Sequence, residues 1–384
     1  MRALRLARTA VLFAAASLFA APQGFAQNSD INLPSSMTWT CWSQGSGAYN
    51  QAIAIGTTLK NELNVSLQVI SAQTDLARQL PLKDGRVDFS CSGSGAYLSQ
   101  EGLAEFANPE WGPQSVRLFA LNVAPFHAAI VVGADSGVKQ LSDLKGKRVA
   151  YVLGTPSLNL LVEAHLAFAN LTWDDVQKVE VAGFQAAVDA IIDGRVDAIL
   201  LSSATSQAAQ LESSSRGGYY PPIPHEDTEG WARLKAVAAY VVPIRATFGA
   251  MIPEEGLDGA ASPLPFWITY DHSDAGLVYN MTKALFDLHD DYAPMFSPGT
   301  DGLGLDQQIF DYIVPYHEGA IRYFKEKGVW TDELQAHNDS LIERQAVLKA
   351  AWDKLLAENP SADNLEASWL EARRAALTGA GLEK

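Results

Sequence analysis

The chain has 384 residues, 48% of them hydrophobic and 19% charged, with a formal net charge of −16. That length suits two lobes of ordinary size, and so acidic a surface repels nucleic acid and acidic membranes, which excludes both as main partners. An anionic ligand is not excluded, because a cleft can carry a local field of the opposite sign.

Met1 to Arg8 is basic, Thr9 to Ala21 is apolar, and Gly24-Phe25-Ala26 is a small-residue cleavage site. The apolar run is shorter than the roughly 20 residues a spanning helix needs. Residues 1–26 are therefore expected to be a signal peptide cleaved after Ala26, with a retained anchor as the alternative, and cleavage places the mature protein in the periplasm. Removing Arg2, Arg5 and Arg8 with it takes the formal charge from −16 to −19.

Met37 to Ser43 alternates as a strand. A loop through Gly45, Ser46, Gly47 and Tyr49 follows, then an amphipathic helix from Asn50 to Leu63. A strand, a glycine loop and a helix N-terminus together form an anion-binding arrangement. No Gly-Lys-Ser/Thr follows, so it is not a nucleotide P-loop. Val116 to Val123 and Ala128 to Val132 are apolar strands crossing into a second lobe. There the strand Val149 to Leu153, the loop Gly154 to Ser157 with Thr155, and a helix from Leu158 to Ala169 repeat the first strand–loop–helix. Gly217 to Gly230 is expected to be a loop, Val237 to Ile244 a strand returning towards the first lobe, and Met251 to Pro265 a loop. Phe266 to Tyr270 reads as a buried strand, Leu277 to Asp287 as a helix, and Tyr316 to Gly328 as another. From Thr331 the chain turns helical and charged. Leu341, Leu348, Trp352 and Leu355 form an apolar stripe, Asn359-Pro360 interrupts it, and Leu365 to Leu377 resumes it. This extension either covers the core of the first lobe or serves as a homodimer surface.

One pentapeptide occurs twice, Asp84-Gly85-Arg86-Val87-Asp88 and Asp193-Gly194-Arg195-Val196-Asp197. Each copy follows a helix, Thr74 to Lys83 or Phe184 to Ile192, and leads into a short strand. Each helix is itself preceded by a strand, Val65 to Ile70 or Val179 to Val181. Two α/β lobes of similar design, with a cleft between them, would produce this pattern. Asp-Gly ends the helix and Gly supplies the positive φ of the turn. Ligands of open parallel sheets bind beyond the C-terminal strand ends. Arg86 and Arg195 therefore point away from the ligand, and the hydroxyl runs after the strands point towards it. Those runs contain Ser92 and Ser94 in one lobe, Ser203 and Thr205 in the other. With the two glycine loops they give the candidate ligand-binding set: Gly45, Ser46, Gly47, Tyr49, Ser92, Ser94, Thr155, Ser157, Ser203 and Thr205. None of the four loops holds an Arg or Lys, so an anion there would rely on backbone N–H groups, hydroxyls and helix N-termini. Arg78 and Arg245 lie outside the loops but could swing into the pocket, and Trp42 and Tyr49 supply an apolar wall or pack in the core.

Cys41 and Cys91 either form a disulfide or remain buried thiols. Ser94 lacks the flanking glycines of a Gly-x-Ser-x-Gly elbow, and the seven histidines are scattered. No catalytic residue, metal or cofactor is expected.

Several segments resemble the TAXI solute receptors, the extracytoplasmic subunits of one branch of TRAP transporters. They are Gly45 to Tyr49 before its helix, Leu82 to Asp88, Asp143 to Val149, Ala246 to Pro253, and His317 to Gly328. The resemblance runs in order from Met37 to Trp330. It departs at Asn50, where a second aromatic is usual, at Gly93-Ser94-Gly95, and in the extension past Thr331. It implies a type II periplasmic binding protein fold with two α/β lobes, a hinge and a ligand cleft. On that reading residues 27–123 begin lobe 1, 124–243 form lobe 2, 244–330 return to lobe 1, and 331–384 are an added helical extension. It also implies capture of a carboxylate or amino acid and delivery to a TRAP-type permease. An exported enzyme or a ligand sensor on the same scaffold is the alternative.

Overall fold

A computed structural model describes residues 30–382 except 43, 45, 73, 154 and 155. The signal-peptide expectation, Gly45 and Thr155 therefore lie outside the described residues, as does the side chain of Ser157.

The first lobe opens with β1 (Ser36–Cys41), α1 (Gly47–Leu63), β2 (Ser66–Ser71), α2 (Asp75–Lys83), β3 (Phe89–Ser92), α3 (Ser94–Glu101) and β4 (Val116–Leu121). The chain then crosses and builds β5 (Ala128–Gly133), β6 (Arg148–Val152), α4 (Pro156–Phe168), β7 (Gln177–Val181), α5 (Phe184–Ile192), β8 (Ala198–Ser202), α6 (Ser206–Ser213), β9 (Gly218–Tyr219) and α7 (Thr228–Val237). A ribbon of β10 (Val242–Ala246) and β11 (Leu257–Ala261) follows, and β12 (Phe266–Tyr270) re-enters the first sheet. After it come α8 (Ala275–Asp287), α9 (His289–Tyr292), α10 (Glu318–Glu326), and a hairpin of α11 (Asp332–Ala357) and α12 (Leu365–Ala380).

The two sheets share one plan. Their strand orders are β2-β1-β3-β12-β4 and β7-β6-β8-β5-β9. In each, three parallel strands are followed by one antiparallel strand that comes from the other end of its lobe. The doubled pentapeptide supports this symmetry. Gly85 and Gly194 have φ of +66° and +72°, where each helix turns into its strand. The last Asp of each copy then caps the neighbouring strand. Asp88 accepts from Thr38 N at 2.8 Å, and Asp197 from Arg148 N at 3.0 Å. Both arginines fold back on their own turns, Arg86 on Asp84 at 2.8 Å and Arg195 on Asp193 at 3.3 Å.

Four expectations differ, the first at Gly217 to Gly230, expected as a loop, where Gly218–Tyr219 pairs with β5 as β9 and α7 begins at Thr228. The stretch expected as a strand from Val237 instead ends α7, and β10 begins only at Val242. β10 pairs with β11, inside the segment expected to be a loop, so the first strand back in lobe 1 is β12. The glycine loop also ends early, because Ser46 caps a helix that already contains Gly47 and Tyr49.

The hairpin packs on the first lobe. Trp352 and Trp369 meet edge to face at 5.1 Å in a cluster with Leu348, Leu355, Leu365 and Leu377. Trp369 Nε1 donates to the Glu101 carbonyl at 3.1 Å. The fully buried Glu101 carboxylate is held by Arg344 from α11, at 2.9 Å, and by Arg373 from α12. Burial pushes this carboxyl up, but the two guanidiniums outweigh it and hold it below its ordinary value. No helix among the described residues is long and apolar enough to cross a membrane.

Candidate functional site

The connections between the lobes decide which ends of the sheets face each other. One leaves at Leu121, beside Phe266 and Ser92, and enters lobe 2 at Ala128, beside Ser202. The other returns through Ser262 to Pro265 into Phe266. Both crossings therefore join the C-terminal ends of the parallel strands, so those ends line the cleft.

On the lobe 1 side β1 and β3 end side by side, and Cys41 and Cys91 are joined there by a disulfide. Trp42 continues β1 and lies over Gly93. A side chain at Gly93 would come within 3.4 Å of Trp42 and 3.1 Å of Leu264. The Arg78 guanidinium stacks on Trp42 with its carbon 4.4 Å from the ring centroid. It donates to the Ala72 carbonyl at 3.1 Å and pairs with Asp75, whose carboxylate lies against Gly95 at the start of α3. Arg78 is only 2% exposed, so this ion pair is a fixed part of the wall.

Among the described residues, four buried polar atoms of lobe 1 around these strand ends lack a hydrogen-bond partner: Ser92 Oγ, Arg78 Nε, Asn122 Oδ1 and Gln51 Oε1. Asn122 follows β4 and donates to the carbonyls of Leu264, at 2.6 Å, and Thr300, at 3.1 Å. Gln51 of α1 donates to the same Thr300 carbonyl at 2.8 Å. Buried polar atoms are ordinarily satisfied, so such a group marks where a water or a ligand completes the network.

The candidate residues divide by what their hydroxyls already do. Ser92 is buried at the end of β3, and Ser94 opens α3 beside it. Ser46 accepts from Tyr49 N at 3.3 Å as the cap of α1, and that cap does not use its own proton. Gly47 is exposed with open space around it, and Tyr49 is half-buried against the core. Thr205 accepts from Ala208 N of α6 and donates to the Ser202 carbonyl of β8, so the turn between them uses both functions. Ser203 accepts from His127 N at 3.0 Å and donates to the Phe248 carbonyl at 2.9 Å, which ties β8 to the crossing. In lobe 2 the cleft-side strand ends also carry Leu153, 48% exposed, and the half-buried Phe184.

Asp75, Gln51 and Asn122 had no motif that sequence reading could detect. Arg78 was visible only as a charge outside the loops. Arg245 is spoken for, with Asp258 at 2.6 Å and the Glu255 carbonyl at 2.7 Å. Among the described residues no group of three or more His, Cys, Asp and Glu could hold a metal.

Two pseudo-symmetric α/β lobes, double crossings and facing C-terminal strand ends define the periplasmic solute-binding protein fold. Residues 43–328 match the model of the NMT1-like family, and the chain belongs to it. Solved structures with similarity include a putative sulfonate ABC transporter's periplasmic sulfonate-binding protein from Methylobacillus flagellatus. It is 14% identical, with 77% of this chain and 88% of that one covered and a TM-score of 0.44. The L-cystine solute receptor of Neisseria gonorrhoeae, unliganded and open, is 16% identical over 69% and 94%, with a TM-score of 0.38. Substrate-binding domain 2 of GlnP from Lactococcus lactis, also open, is 12% identical over 70% and 96%, with a TM-score of 0.39.

Proposed function

We propose that the protein is an exported solute receptor that captures a small organic acid or amino acid between its lobes and passes it to a membrane permease. One observation carries the reading: unsatisfied buried polar atoms gather at the cleft-side strand ends of lobe 1, beside Arg78 and Trp42. A carboxylate would take the free donor of Arg78 and the Ser92 hydroxyl. Asp75, Gln51 Oε1 and Asn122 Oδ1 offer acceptors for an ammonium or hydroxyl on the same molecule. Leu153, Leu264 and Trp42 give the rest of the ligand an apolar lining. Ser46, Ser94 and Ser157 belong to the proposed set through their places at helix starts, and Thr155 through its sequence position in the Gly154 to Ser157 run. Ser203 and Thr205 contribute through backbone groups, since their hydroxyls are engaged. The segments from Leu82 to Asp88 and His317 to Gly328 favour a permease of the TRAP type.

Native mass spectrometry of protein purified without refolding should show a small co-purifying molecule. Calorimetry with that molecule should show Arg78→Ala and Ser92→Ala each weakening binding about tenfold or more, the loss of one buried polar partner. Small-angle scattering should show contraction on binding. Unchanged affinity in both variants would move the site elsewhere, and turnover of the molecule would favour the enzyme reading.

A further inference from the structure

A cavity of about 1020 Å³ lies at the other end of α3, between the C-terminal hairpin and α7 of lobe 2. Ile313, Leu341, Leu370 and Leu377 give it an apolar interior. Its charged lining is Lys235, Arg344, Arg373 and Arg374 against Glu101 and Glu371, an excess of cations in a protein of net charge −16. Arg344 and Arg373 already neutralise Glu101. Lys235 and Arg374 are both exposed, and among the described residues neither forms an ion pair. Leu370 is 49% exposed on the same wall, an apolar side chain that the hairpin leaves uncovered.

From this lining we propose that the cavity is a second ligand site, for an amphipathic anion with an apolar chain and one carboxylate or sulfonate head. The chain would cover Leu370 and Leu377, and the head would take Lys235 from one side and Arg374 from the other. The volume is that of a small-molecule pocket. Most of the lining comes from residues beyond the stretch that matches the family model, which ends at residue 328, so the site is a property of the added hairpin. Lys235, Ala236 and Ala239 belong to lobe 2, whereas the remaining walls belong to lobe 1 and the hairpin. A bound molecule therefore touches both lobes. Tyr97 lies on the same wall and reaches lobe 2 through its ring, 5.9 Å from that of Tyr240.

The test is calorimetric titration of the intact protein with decanoate, using decyltrimethylammonium as the control of opposite charge. Decanoate should bind saturably and the cation should not. Lys235→Glu combined with Arg374→Glu should weaken decanoate about tenfold or more, as should Leu370→Asp alone. All three substitutions are at exposed positions, and unchanged thermal melting would show that the variants fold. Arg78→Ala should leave decanoate binding as it is, because Arg78 belongs to the inter-lobe cleft. Absence of saturable binding, equal binding of the cation, or insensitivity to both variants would overturn the proposal. Loss of decanoate binding in Arg78→Ala would also overturn it by placing the anion in the cleft. Failure of the cleft reading alone leaves these outcomes unaltered.

Discussion

Lobe 2 and the hairpin seam bury ionisable groups in opposite states. In lobe 2, His127 and His165 are fully buried, and each has an Nε2 with no partner among the described residues. Burial, helped at His127 by the nearby His165, pushes their pKa values down to about 3 and about 4, so both are neutral. At the seam, Glu101 is equally buried but meets two guanidiniums and stays charged. Burial alone neutralises a group, and burial with well-placed partners keeps it ionised. These two imidazoles of lobe 2 are thus held without charge, whereas the added hairpin is fastened by charge.

Acid should expose this contrast most strongly. A histidine with a depressed folded pKa binds protons more readily when unfolded, so its contribution is complete above about pH 6.5 and falls as the pH drops towards the folded value. Each histidine should remove up to about 1.4 kcal/mol per pH unit in that window. Glu101 should add its loss only below its ordinary range, near pH 4.5. Denaturation curves from pH 7.5 to 4 should show the slope beginning near pH 6.5, and His127→Gln with His165→Gln should flatten it. A wild-type profile flat to pH 5 would mean that these imidazoles are not held neutral.

Breaking the seam should rank next. Glu101→Ala leaves Arg344 and Arg373 without their shared partner and should cost about 3–5 kcal/mol in equilibrium unfolding. A loss below about 1 kcal/mol would show that water replaces the carboxylate freely.

The two pentapeptides sharpen the comparison between the lobes. Asp88 accepts one strand N–H, whereas Asp197 also binds the Arg148 side chain at 2.6 and 3.1 Å and has Arg216 at 3.6 Å. Burial pushes Asp197 up, but the Arg148 hydrogen bonds prevail and hold it below its ordinary value. Asp197→Ala should cost about 2–3 kcal/mol and Asp88→Ala about 1 kcal/mol, both read from chemical denaturation. Equal losses would mean that the arginines of lobe 2 contribute nothing beyond the strand cap.

The smallest effect belongs to Arg86→Ala and Arg195→Ala. Both side chains are more than half exposed and, among the described residues, pair only with their own turns, so stability should change by no more than about 0.5 kcal/mol. Ligand affinity should also hold, and its loss would put the anion at the opposite strand ends.

Local signals carried most of the architecture. Phe184–Ile192 was legible as a helix from its apolar spacing, and Phe266–Tyr270 as a strand from its aromatic and β-branched run. β11 was not, because Leu-Asp-Gly-Ala-Ala has no β-branched or aromatic residue and becomes a strand only through pairing with β10. The positions of the cleft loops followed from strand direction, but their chemistry did not. Arg78 joins Trp42 only because α2 returns beside β1, and Asn122 matters only because two crossings meet there. Such convergence leaves no mark in one sequence.

The bond between Cys41 and Cys91 spans a sequence separation of 50 residues and fastens the two strand ends that carry Trp42 and Ser92. A thiol pair in a reducing cytoplasm would leave them unfastened. On the proposed reading, oxidation of this pair completes the face that would hold the ligand, and reduced chain would compete poorly for solute. A reduced sample should bind more weakly than an oxidised one, and equal affinity of the two would remove that link between redox compartment and capture.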